Sequence, residues 1–183
     1  FISRQMALQA LRSTDPGSII VLFYDHSPIS GKIKFINILV DVWKLGLKDA
    51  FGQRRLTEKE WNRLLDEYKG RGATLKPYPI EDAKWLVQHG LRIADEIGTL
   101  RPKEFEQFKD IIGDFSSIVV SGSLYKCFSC NKKDLPENIV ERIKKVAQRE
   151  LKSKVAGTPA EEIIWFSCID CGAKNSDEVF PYS

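Results

Sequence analysis

The sequence lacks most of the motifs and apolar runs that indicate an enzyme or a membrane protein. It contains only two histidines, and it has no GxGxxG, GxSxG or HExxH motif and no phosphate-binding loop. Its longest apolar stretch, residues 33–43, is interrupted by polar side chains and is far shorter than the ~20 residues that cross a bilayer. These absences disfavour the common hydrolase and dinucleotide-binding classes and an integral membrane protein. The composition is that of a soluble globular protein.

Cysteine is also scarce, but its placement is informative. The only four cysteines form two Cys-x-x-Cys pairs, Cys127 with Cys130 and Cys168 with Cys171. Four thiolates close a tetrahedral shell around Zn²⁺ and leave no open position for chemistry. An apolar approach precedes each pair and a residue that tolerates positive φ follows it, which is typical of a zinc knuckle. We therefore expect one structural zinc and an intracellular reducing compartment, with disulfide bonding as the alternative.

These pairs resemble the zinc-ribbon and zinc-knuckle group of four-cysteine modules, and the likeness covers only about residues 118–175. The spacing departs from that group, because 37 residues separate Cys130 from Cys168 where roughly 15–20 are usual. A helix over 136–152 would be inserted between the knuckles. The resemblance implies bound zinc. More weakly, it implies a role with nucleic acid, because zinc ribbons occur in transcription, translation and RNA-processing proteins. The implication is weak because zinc ribbons also occur in enzymes, where they have a purely structural role. No family is recognised for the whole chain.

Charge is nearly balanced over the chain but not within its last third. The net charge of +3 is too small to indicate nucleic acid by itself. Residues 126–154 hold nine Lys/Arg against four Asp/Glu, whereas residues 155–183 hold one against five. These cations could contact nucleic acid, or they could simply form a solvent-exposed helix face, since nearby glutamates offset part of their charge. The residues that we expect to contact phosphates are Lys126, Lys132, Lys133, Arg142, Lys145, Arg149 and Lys152, with Phe128 as a stacking side chain.

Apolar runs and spacing predict both strands and helices. Residues 19–24 and 32–43 are rich in β-branched and aromatic side chains, and the turn residues between them favour an antiparallel hairpin. The segment 44–55 is predicted to be an irregular cationic loop, and strands are expected over 118–125 and 162–167, each leading into a cysteine pair. Helices are expected over 3–13, 57–70, 80–97, 102–113 and 136–152, the second opened by a Thr57/Glu60 capping box.

The predicted class is α+β: an antiparallel β-hairpin packed with three or four helices, followed by a four-cysteine zinc module. The expected divisions are an α+β domain at 1–115, the zinc module at 116–176 and a tail at 177–183. The leading functional hypothesis is a non-enzymatic, zinc-binding accessory protein that docks on RNA, DNA or a nucleoprotein assembly through its basic helix.

Two other hypotheses remain open. One is a protein–protein adaptor subunit whose zinc is purely structural. The other is an enzyme with a site near Asp25, His26 and Asp41. The enzyme hypothesis is disfavoured by the expected geometry, because in an antiparallel hairpin His26 lies beside the turn and Asp41 lies at the opposite end.

Overall fold

The computed structural model describes residues 5–12, 18–120, 122–127, 130, 134–158, 162 and 164–176. Within these residues the chain forms a five-stranded antiparallel sheet and four α-helices, so the predicted α+β class is confirmed. The sheet consists of β1 (Met6–Arg12), β2 (Ser18–His26), β3 (Ile33–Asp41), β4 (Gly46–Leu56) and β5 (Ala73–Tyr78). The helices are α1 (Glu58–Gly70), α2 (Ile80–Ile97), α3 (Lys103–Phe108), continued by a 3₁₀ turn (Lys109–Ile112), and α4 (Glu137–Ala156). A separate two-stranded ribbon consists of β6 (Trp165–Ser167) and β7 (Lys174–Ser176).

The sheet is a meander extended by one crossover. Its strand order is β4-β3-β2-β1-β5, and all neighbours run antiparallel. The predicted hairpin is at its centre, since β2 pairs with β3 from Ser18 opposite Asp41 to His26 opposite Ile33. Helix α1 then carries the chain from β4 at one edge to β5 at the other.

Alternation along β2 builds two cores, one on each face of the sheet. Successive side chains of a strand point to opposite faces. Ile19 and Val21 belong to a cluster that includes the buried side of α2, whereas Ile20 and Leu22 belong to a second cluster with Trp61 of α1. Burial of each such side chain contributes roughly 1.5–3 kcal/mol. The continuous apolar run of this strand therefore reflects helices packed on both faces.

The prediction of a helix over 3–13 is wrong where the structure describes it. Strand β1 lies between β2 and β5 and pairs with both. The spacing of its apolar residues fits a helix, but helix propensity is a weak local preference. Two ladders of backbone hydrogen bonds, one with β2 and one with β5, outweigh it.

The prediction of an irregular loop over 44–55 is also wrong, because most of this segment is β4. Its pairing with β3 shifts register between Ile33 and Phe35 and again between Leu39 and Val40. Such irregularities interrupt the period-two pattern by which a strand is recognised. Strand β5 was not predicted either, and its Pro77 is compatible with a strand because β5 lies at a sheet edge.

No strand forms over 118–125 in the described residues, contrary to the prediction. An isolated antiparallel bridge between Lys126 and Asp134 holds this region instead, and the N–H of Leu135 donates to the carbonyl of Tyr125 at 3.0 Å. The strand predicted at 162–167 is found as β6. Residues 177–183 of the predicted tail lie outside the described residues.

The helices over 57–70, 80–97, 102–113 and 136–152 are confirmed as α1, α2, α3 with its 3₁₀ turn, and α4. The capping box of α1 is present: Thr57 Oγ1 accepts from the N–H of Glu60 at 3.3 Å, and the N–H of Thr57 donates to Glu60 Oε2 at 2.7 Å. The domain division at 115/116 stays a prediction, although side chains from both sides share one hydrophobic cluster. Among the described residues, no helix combines the length and the apolar character that a membrane crossing requires.

Candidate metal centre

The four cysteine sulfurs converge. The Sγ atoms of Cys127, Cys130, Cys168 and Cys171 all lie within 4.8 Å of one another, and those of Cys127 and Cys171 are 3.7 Å apart. A tetrahedral shell with metal–sulfur bonds of ~2.3 Å places its sulfurs ~3.8 Å apart. All four are free thiols. The cysteines are therefore positioned to bind a metal ion in a closed four-sulfur shell.

The second cysteine pair lies in the tight turn that joins β6 to β7. The N–H of Cys168 donates to the carbonyl of Ala173 at 2.9 Å, and the N–H of Gly172 donates to the carbonyl of Cys168 at 2.8 Å. Gly172 has a φ of 70°, a conformation that costs little only for glycine. The second pair therefore lies in a tight turn with a positive-φ glycine after it, as predicted, whereas the residue that follows the first pair lies outside the described residues.

The centre lies at the boundary between the core and the solvent. Cys127 is 1% exposed and Cys168 is 7% exposed, and both belong to the hydrophobic cluster on the α2 face of the sheet. Ile143 of α4 is part of the same cluster. Cys171, by contrast, is exposed. A bound metal would consequently tie the β6–β7 ribbon to the main core.

The thiols oppose one another's ionisation. The backbone N–H of Ala173 lowers the pKa of Cys171, but desolvation and the three neighbouring thiols outweigh it and raise the pKa to about 12. Desolvation, followed by contact with Cys127, raises the pKa of Cys130. A divalent cation reverses this preference, because coordinated thiols are deprotonated outright. The chemistry of the donor set therefore fits a cation.

Three of the predicted basic residues of α4 are exposed and have carboxylate partners. Arg142 and Arg149 both contact Glu162, with N···O distances of 3.5 and 2.7 Å, and Lys145 contacts Glu141 at 2.7 Å. Ion pairs this exposed contribute little to stability and exchange readily with other partners. Contact of this face with nucleic acid stays a prediction.

The remaining predicted phosphate ligands are less well placed or lie outside the description. Lys152 is exposed on α4, and Lys126 is half-buried beside the first cysteine pair. Lys132, Lys133 and Phe128 lie outside the described residues.

The three hairpin residues considered for catalysis are not brought together as one site. His26 and Asp41 lie at opposite ends of the β2–β3 pairing. Asp41 stabilises the turn after β3, since its Oδ1 accepts from the N–H of Lys44 at 2.8 Å. Asp25 forms an ion pair with Lys34 at 3.3 Å. Asp25 and Asp41 therefore have local structural partners.

One polar pair that the sequence did not predict lies between α1 and the sheet. The hydroxyl of Tyr68 donates to Oδ1 of Asn37 at 2.7 Å, and both side chains are buried. These residues belong to different elements and meet only because α1 crosses the sheet. No local pattern in the sequence could have indicated the contact.

Comparison with protein-family models, with curated proteins and with solved structures finds no match for this chain. The fold and the site define an α+β protein with a candidate four-cysteine metal centre.

Proposed function

We propose that this chain is a zinc-binding accessory protein whose four-cysteine centre is a purely structural zinc site. The observation that carries the proposal is the convergence of four sulfurs within 4.8 Å. Four thiolates leave no coordination position for a substrate, so the metal holds the fold and does no chemistry. Structural zinc provides on the order of 10 kcal/mol of apparent binding free energy, which would fix the β6–β7 ribbon against the core.

Zinc is favoured among metals by the donor set. Tetrahedral all-sulfur sites select Zn²⁺ or iron over the hard cations that prefer oxygen. Elemental analysis of protein purified under reducing conditions should find one zinc per chain and no stoichiometric iron. A stoichiometric iron content with visible absorption would contradict the zinc assignment while leaving the four-sulfur site intact.

The accessory role that we assign is docking on RNA, DNA or a nucleoprotein assembly through the basic face of α4, defined as Arg142, Lys145, Arg149 and Lys152. Their exposure supports this role. Because the ion pairs with Glu141 and Glu162 are exposed, phosphates could replace these carboxylates at little cost. Counterion release would then add a salt-dependent contribution to the affinity.

Fluorescence anisotropy with labelled single-stranded RNA and duplex DNA tests this role. The zinc-loaded protein should bind at low salt, and its affinity should fall steeply as salt rises. The triple variant Arg142→Glu, Lys145→Glu and Arg149→Glu should bind at least tenfold more weakly while keeping its metal.

A matched control reverses three other exposed cations that also have carboxylate partners: Lys69, Arg101 and Lys109. This control carries the same change of net charge and should bind better than the α4 variant. Absence of binding even at low salt would make the basic face a solvated surface only.

A protein–protein adaptor is the second candidate, and exposed apolar side chains on the ribbon favour it. Trp165 is 45% exposed, and Ile169, between the two cysteines of the second pair, is 90% exposed. An adaptor would retain a partner protein through washes at high salt. Ile169→Ser should then release that partner, whereas reversal of the basic face should not.

A further inference from the structure

A second candidate site lies on the opposite face of the sheet from the buried cysteines. It is a cleft of about 360 Å³ between α1 and strands β2, β3 and β4, a size within the usual range of ligand pockets. Ile20 and Leu39 of the sheet and Leu64 of α1 supply apolar walls.

The floor of the cleft carries the polar pair described above. Asn37 is 6% exposed and Tyr68 is 7% exposed. Oδ1 of Asn37 accepts from the Tyr68 hydroxyl at 2.7 Å, while its amide nitrogen Nδ2 donates no hydrogen bond within the described residues. Asn37 lines the cleft, so this amide nitrogen is available to donate to a ligand there.

Phe51 supplies an exposed aromatic ring beside this amide. It lies directly opposite Asn37 in the β3–β4 register, lines the cleft and is 41% exposed. Phe35 fixes its position through an edge-to-face contact, with centroids 5.6 Å apart at 88°. An exposed aromatic ring can stack on a nucleobase while a neighbouring amide hydrogen-bonds to the edge of the base.

We propose that this cleft binds an adenine-type purine base. Nδ2 of Asn37 donates to N7, and the second lone pair of Oδ1 accepts from the exocyclic amino group, the pairing by which asparagine reads adenine. Phe51 and the aliphatic walls contact the planar ring. On the rim, Asp49 and Glu67 outnumber Arg71, so recognition is of the base and not of a phosphate. The site is independent of the basic face of α4.

Nuclear magnetic resonance with uniformly ¹⁵N-labelled protein tests the proposal directly. Titration with adenosine should shift the side-chain amide signals of Asn37 and the backbone signal of Phe51. Inosine at the same concentration should shift them less, because it presents a carbonyl acceptor beside N7 where adenosine has its amino donor. Adenosine without effect on these signals up to its solubility limit would overturn the proposal.

Two variants separate the amide from the ring. Asn37→Asp keeps an acceptor for Tyr68 but removes the N–H donors, and Phe51→Leu keeps an apolar side chain against Phe35 but removes the stacking surface. Each should weaken adenosine binding at least about fivefold. Gln53→Ala, which lies on the same strand outside the cleft, should bind like the wild type.

If Asn37→Asp fails to fold, Phe51→Leu decides the outcome, because its site is exposed and tolerant. Binding of adenosine by Phe51→Leu with wild-type affinity would then overturn the proposal.

The source of the base is distinguished with a hexa-adenylate RNA. Tighter binding of this oligonucleotide than of adenosine, with the same loss in Phe51→Leu, identifies a base within a strand. Equal affinities identify a free nucleoside or nucleotide. Oligonucleotide binding that is unchanged in Phe51→Leu but lost in the α4 triple variant would overturn the base site. The basic face of α4 would then be the nucleic-acid surface.

Discussion

Trp43, in the connection between β3 and β4, stacks on Phe166 of β6 with ring centroids 5.9 Å apart and 27° between the ring planes. Trp43 is 1% exposed, and Phe166 precedes Cys168 of the candidate metal centre by two residues. The stack therefore joins the sheet to the ribbon that carries two of the four cysteines. An aromatic contact and a metal ion would hold the same junction.

Truncation of this stack should destabilise the metal-loaded protein. Phe166→Ala should lower the free energy of unfolding by about 1–3 kcal/mol, less than for a fully buried phenylalanine because Phe166 is only half-buried. Urea unfolding measured by circular dichroism at saturating zinc checks this. Ile169→Ala, in the same ribbon at a position that is 90% exposed, should change the stability by about 0.5 kcal/mol or less. Equal effects of the two variants would contradict a structural role for the stack.

Loss of one buried thiolate should abolish the centre. Cys127→Ser should purify without stoichiometric metal and should melt at a lower temperature than the wild type, because its sulfur is almost fully buried among the other three. Ser167→Ala, beside Cys168 but outside the shell, should keep both properties. Treatment of the wild type with a chelator should reproduce the serine variant. A wild type that melts at the same temperature with and without chelator would show that the metal does not stabilise the fold.

The buried His89 should make stability depend on pH. It stacks on Trp85 with centroids 4.9 Å apart, and its Nε2 lies 3.4 Å from the carbonyl of Val42. Burial lowers the pKa of His89 to about 4, although the hydrogen bond to Val42 raises it. Between pH ~6.5 and ~4 the unfolded histidine binds a proton that the folded one does not, so stability falls as the pH falls through this window.

The shift in the pKa of His89 corresponds to at most about 3 kcal/mol. Urea unfolding of wild type and His89→Gln from pH 7 to pH 5 checks this prediction, since the variant should show a shallower loss of stability. Parallel slopes for wild type and His89→Gln would contradict the prediction.

A close approach of β4 to α2 requires glycine at position 46. Gly46 has a φ of +69°, and a β-carbon there would collide with the carbonyl oxygen of Gly90 and lie 2.5 Å from the backbone nitrogen of Ala94. Gly46→Ala should therefore cost about 3 kcal/mol or more. Gly98→Ala has a similar φ of +83° but no atom within 4 Å, so it should cost only about 1 kcal/mol. Thermal unfolding of both variants separates the steric clash from the backbone strain.

Features encoded within a few residues were predictable from the sequence. The capping box needs only Thr57 and Glu60, and the apolar stripe of α2 repeats within one helix. The cluster of sulfurs was predictable for another reason. The chain has only four cysteines, in two closely spaced pairs, so a single four-sulfur site uses all of them.

Features that depend on distant pairing were not predictable. The assignment of β1 depends on β2 and β5, and the alternation of β4 is obscured by two register shifts. The contact between Asn37 and Tyr68 exists only once α1 has crossed the sheet. Apolar spacing along the chain contains none of this information.

The crossover of α1 also has a consequence during synthesis on the ribosome. Strand β1 is made well before its second neighbour β5, which begins only at Ala73, the partner of Arg12. Until that segment emerges, one side of β1 presents unpaired backbone groups, the kind of edge that recruits other strands. The nascent chain therefore passes through a period in which chaperone binding or self-association competes with completion of the sheet.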